Sequence, residues 1–199
     1  MHPLTYWLLP PGCTTGTVVL HLHTSGWLHK GIWSENVLFF PPTENALWTV
    51  DDPYLRGYEF SRVDTVEEAQ FSEKLSANQA QDIYRHPLAQ GPLSTSFSKS
   101  FDVYALRLLI YEIAVWKSLG EVVKRIGVTK CTPKSMQEAC EKLIDGPPFQ
   151  DLRFRVGDRY TNVVKTCLGG TLEDTNLGPS EPLDIYLEKV VRGLEKNKA

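Results

Sequence analysis

Charge is missing from the start of this chain: between Met1 and His29 there is no Asp, Glu, Lys or Arg. Such a stretch raises the question of a signal or membrane segment, and its composition argues against both. Pro10, Pro11 and Gly12 interrupt it, the polar run Thr14-Thr15-Gly16-Thr17 follows, and no basic residue precedes Tyr6 to Leu9. A CxxC pair is also missing. The four cysteines, Cys13, Cys131, Cys140 and Cys167, stand far apart, so neither a zinc ribbon nor a disulfide framework is suggested. Reduced thiols in an intracellular, cytoplasmic protein are the expectation. His21 and His23 have no acidic or thiol neighbour to complete a metal site. Nor is there a basic footprint: 21 Lys and Arg face 24 Asp and Glu, a net charge of −3, and the basic residues are scattered. Affinity for nucleic acid through phosphate neutralisation is therefore not expected, nor is membrane attachment. What is present, 199 residues with 42% hydrophobic side chains, suits one globular domain with its own core.

Local pattern divides the chain. Met1 to Gly16 has the Pro, Gly and Thr density of a loop and reads as an irregular arm. Val18 to His23 fits a strand by propensity and a helix by the spacing of Leu20, His23 and Trp27. Asn36 to Phe40, ended by Pro41 and Pro42, and Tyr54 to Phe60, opened by Pro53, read as short strands with a connector between them that is extended at Ala46 to Val50. Arg62 to Gly91 is polar and without sustained period, hence a long surface segment with at most a short helix near Val66 to Glu73. The strongest element is Asp102 to Lys117, where Val103, Leu106, Leu109, Ile110, Ile113 and Ala114 recur at three- and four-residue steps, the pattern of a helix buried on most of its circumference. Further helices are expected from Pro133 to Leu143, Arg159 to Leu168 and Leu183 to Leu194.

The segment His29-Lys30-Gly31-Ile32-Trp33-Ser34-Glu35-Asn36-Val37-Leu38 resembles the protein-kinase catalytic loop, His-Arg-Asp followed five residues later by Asn and then a short strand. Later signals keep the family's order. Gly57-Tyr58-Glu59 stands where the family has Asp-Phe-Gly, and His86-Pro87-Leu88 where it has Ala-Pro-Glu. Lys99 to Leu106 resembles the central Asp-Val-Trp/Tyr-Ser helix, and Tyr160 to Leu168 the helix closing the large lobe. Gly26 to Lys30, Asn36 to Phe40 and Asp82 to Pro87 are similar in particular to fungal kinase-like domains often fused behind helical, prion-inhibition (HeLo-like) N-terminal domains. The resemblance covers roughly residues 17 to 195 and implies a mainly α (α+β) fold: an irregular arm over 1–16, then a kinase-like large lobe over 17–199 with a short strand pair and no small lobe. It makes Val18 to His23 the end of a helix leading into the loop.

What the match omits decides the implied chemistry. Phosphoryl transfer in this family needs a Gly-rich loop, a strand Lys, an Asp that orients the attacking hydroxyl, and an Asp plus Asn on magnesium. The first Lys here is Lys30, and Gly12 to Thr17 lacks the Lys of a phosphate loop. Gly31 occupies the position of the catalytic Asp, Trp33 that of the phosphate-side Lys, and Gly57 that of the metal-binding Asp. Asn36 alone remains, and one amide cannot hold magnesium; Glu59, Asp51 and Asp52 are poor substitutes. No cofactor and no metal are therefore expected, and the degenerate loop (His29, Lys30, Gly31, Asn36) and degenerate metal motif (Gly57, Tyr58, Glu59) leave no catalytic residue. His29, Asp102 and Pro87 take structural roles under the resemblance, with Asp102 accepting hydrogen bonds from the loop backbone and Asn36 bonding locally to it. Trp33 and Trp116 are read as packing residues. Arg107 lacks an evident acid on its own helix face, since Glu112 lies five residues on, and Leu88 deprives Arg153, Arg155 or Arg159 of the family's Glu partner.

The function implied is that of a catalytically inactive pseudokinase acting as a binding or regulatory module. The rivals are a protein kinase truncated before its small lobe and a non-functional remnant. Apolar residues of the strand pair, Val37 to Phe40 with Tyr58 and Phe60, are expected to face the cleft. There the uncharged arm, a partner protein, the small lobe or a second copy would cover them.

Overall fold

The structure, a computed structural model, describes residues 4–41, 43, 52–65, 79–90, 96–128, 132–169 and 181–195. In chain order these form α1 (Leu4–Thr24), β1 (Trp27–Leu28), β2 (Val37–Phe39), β3 (Pro53–Leu55), β4 (Arg62–Val63), α2 (Gln79–Asp82), α3 (Lys99–Val115), α4 (Leu119–Arg125), α5 (Pro133–Asp145), α6 (Pro147–Gly169) and α7 (Glu181–Glu195). The fold is mainly helical, with two short antiparallel ribbons. Among the described residues no helix is long and apolar enough to cross a membrane.

The core forms around α3. Phe101 to Tyr111 are buried without interruption, and Tyr104, Leu106, Leu108, Leu109 and Ile110 are almost fully enclosed. Each such side chain contributes on the order of 1.5–3 kcal/mol through burial, which is why a helix apolar on nearly every side settles at the centre. Helices α1, α4, α6 and α7 pack against it. At its end Trp116 adopts φ 51°, and its N–H bonds back to the Glu112 and Ile113 carbonyls. Trp116 is exposed there rather than packed, whereas Trp33 does pack against the core.

The N-terminal segment departs from expectation. The arm read as irregular over 1–16 is helical from Leu4, continuous with Val18 to His23. Pro10 and Pro11 remove backbone donors and would break an isolated helix. Tertiary contact overrides that local preference: Thr15, Gly16 and Val19 are buried, and α1 lies against α7, α3, α6 and β3. Gly16 permits the approach to α7, since a Cβ there would stand 3.2 Å from Val191 Cγ2.

The later helices begin near the expected places. In α5, Thr132 and Ser135 form a reciprocal capping box, and Pro133 occupies the first turn, where its missing N–H has no partner to lose. The helix expected from Arg159 is the second part of α6, which resumes just after Gly157, whose φ 76° and ψ 172° are not helical; the part from Pro147 to the kink was not expected. Helix α4 was not legible, being only seven residues long.

In the ribbons, Trp27 pairs with Val63 and Leu28 with Arg62, while Val37, Leu38 and Phe39 pair with Leu55, Tyr54 and Pro53. The strand read over Tyr54 to Phe60 is shorter. It ends at Leu55, and Tyr58 to Phe60 form a 3-10 turn entered through Gly57 at φ 92°. Only glycine takes that backbone without strain. The reading of 62–91 as surface is corrected in part: Arg62, Ile83, Tyr84, His86 and Ala89 are buried. Arg62 donates to the carbonyls of Val63 and Phe97 from its two terminal nitrogens, so backbone dipoles offset part of the cost of burying its charge. The expected helix near Val66 to Glu73 and the extended stretch at Ala46 to Val50 lie outside the described residues.

Candidate functional site

The residues singled out by spacing meet where the loop 29–36 passes between α3 and the 3-10 turn at Tyr58. Asp102, in the first turn of α3 and 1% exposed, accepts the N–H of His29 at 2.7 Å on Oδ2 and that of Lys30 at 2.9 Å on Oδ1. His23, near the end of α1, completes the cluster with Nε2 at 3.3 Å from Asp102 Oδ2. Lys30 is thereby held at φ 66°, a left-handed backbone unusual for a residue with a side chain. Its ammonium lies 5.8 Å from the centre of the Phe97 ring.

His29 points inward. Its Nδ1 accepts the Gly31 N–H at 3.1 Å, which fixes the proton on Nε2 of the neutral ring, and Tyr58 covers it at 4.6 Å between ring centres. Burial lowers its pKa, with the charges of Asp102 and Glu59 opposing the shift. The Ser61 hydroxyl donates to the His29 carbonyl. The pKa of Tyr58 is raised by burial.

The centre of the site is closed. Asn36 Nδ2 donates to the Gly31 carbonyl at 2.7 Å. A Cβ added to Gly57 would fall 2.1 Å from that same nitrogen, and one added to Gly31 would stand 3.0 Å from the Gly57 carbonyl oxygen. The amide of Asn36 therefore occupies the space into which a side chain at 57 would extend, and the Gly57 carbonyl crowds the one at 31. Of the carboxylates weighed as substitutes, Glu59 and Asp52 are exposed, and Asp51 lies outside the described residues. Among the described residues no three His, Cys, Asp or Glu side chains are grouped to hold a metal ion.

Around this centre the other marked residues are structural or exposed. Pro87 opens the 3-10 turn Pro87–Ala89, whose cap His86 accepts the Leu88 N–H on Nδ1 and stacks on Phe101 at 4.3 Å. Arg107 is buried on α3. Its guanidinium lies 4.2 Å from the Tyr104 ring centre, and Nη1 reaches toward the Leu168 carbonyl. Arg153 is paired with Asp158, so the lack of Glu at position 88 leaves no gap there. Phe40 and Tyr54 meet edge to face on the ribbon, each more than half exposed, and Tyr58 is 44% exposed; Val37, Leu38 and Phe39 are half-buried.

Sequence reasoning missed one cluster. The Tyr84 hydroxyl donates to Glu112 Oε2 on α3 and lies 3.0 Å from Ser34 Oγ in the loop. Burial raises the Glu112 pKa to about 7 against the opposing bonds of the Leu119 N–H and the Ser34 hydroxyl. The three residues are 50 and 28 positions apart, so no spacing rule joins them. No protein-family model matches this chain, and no curated protein matches it significantly.

Proposed function

We propose that this chain is the large-lobe part of a degenerate, fungal-type protein-kinase-like domain that has lost phosphoryl transfer and acts as a binding or regulatory module. The observation that carries the proposal is the closed centre, where Asn36 bonds Gly31 and abuts Gly57. Chemistry of that family needs two carboxylates there, and glycine stands at both positions, with the Asn36 amide filling the space beside Gly57 and the Gly57 carbonyl close to Gly31. The order of elements is in keeping with the resemblance: a helix leading into the loop, a carboxylate on a buried central helix tying the loop backbone, and two short ribbons flanking it. The exposed aromatics Phe40, Tyr54 and Tyr58 supply apolar surface for a protein partner or a small lobe.

The test is calorimetric titration of the purified chain with Mg-ATP, paired with a phosphate-transfer assay. No saturable heat and no transfer are expected. The variant carrying both Gly31→Asp and Gly57→Asp should gain neither, because the first Lys of the chain is Lys30, inside the loop itself, and cannot serve as the strand Lys over the phosphates. Saturable micromolar binding by the unaltered chain would overturn the proposal and favour a truncated working kinase.

A further inference from the structure

We draw no further inference here: the strongest candidate, the surface patch at the end of α3 where the exposed Trp116 is flanked in sequence by the half-buried Glu112 and the exposed Glu121, is a lone apolar side chain near acidic ones, and nothing in the structure shows what covers it.

Discussion

One carboxylate, Asp102, gathers the backbone of His29 and Lys30 and the ring of His23 from two other stretches of chain. Those bonds hold Lys30 in a left-handed backbone that costs a residue with a Cβ roughly 1–2 kcal/mol. Replacing Asp102 with Ala leaves buried N–H donors unpartnered, and each such group costs roughly 1–3 kcal/mol. Asp102→Ala should therefore lower the urea midpoint clearly, and Asp102→Asn less, since one oxygen acceptor survives. An unchanged midpoint for Asp102→Ala would show that α3 does not hold the loop. At this scale the sequence was informative where a pattern had a fixed spacing. The loop residues His29, Gly31 and Asn36 and the distant Asp102 were marked by motif, and they do meet. The contact of Asn36 with Gly57 was not legible, because glycine carries no side chain to announce what fills its place. The Ser34–Tyr84–Glu112 cluster was not legible either, because its members come together only through tertiary folding.

Elements were readable in proportion to their length. The apolar stripes of α3 and α7 repeat over several turns and survive any context, so their positions were clear from periodicity alone. Strands β1 and β4 have two residues each, too few for alternation to register. Local breakers misled in α1, where Pro10 and Pro11 signal an end but the helix continues, whereas in α6 Gly157 does break the helix and the part after it begins near the expected Arg159. The two cases differ physically. Gly157 keeps its breaker's role by taking a backbone region open almost solely to glycine, with nothing within 4 Å of where a Cβ would be. Its requirement is thus one of backbone and not of space. Gly157→Ala should destabilise the chain by about 1–3 kcal/mol, and Gly157→Leu by about the same amount, because no neighbour obstructs the larger side chain. Gly193 is the contrasting control: a Cβ there would fall 2.8 Å from Val163 Cγ2, so cost should rise with side-chain size. Equal size dependence at the two positions, read from denaturation midpoints, would contradict this distinction.

For the molecule as a whole, two buried groups set opposite limits on stability against pH. His86 is stacked on Phe101 and edge-on to Tyr104, and burial, helped by the charge of Arg107, lowers it to about 4. The unfolded chain binds a proton at His86 near 6.5, the folded chain only near 4, so between those values the unfolded state holds more protons and stability falls as pH falls. Glu112 acts in the reverse sense. Burial raises it from 4.5 to about 7, the folded state holds more protons across that window, and stability falls as pH rises through it. Between 4.5 and 6.5 the two slopes oppose each other and the profile should be nearly flat, with losses below about 4.5 and between about 6.5 and 7. Either effect amounts to at most about 3.5 kcal/mol, taking about 1.4 kcal/mol for each pH unit of displacement. Glu112→Gln should remove the loss near neutrality and expose the His86 slope, so that stability climbs continuously from pH 4.5 to 6.5. His86→Phe, which keeps a ring against Phe101 but cannot take a proton, should do the converse and make stability decline over that same interval. Urea midpoints measured across the range for the three proteins decide the matter: parallel profiles would mean that neither group's burial controls the pH response, and that the charge balance of the surface does.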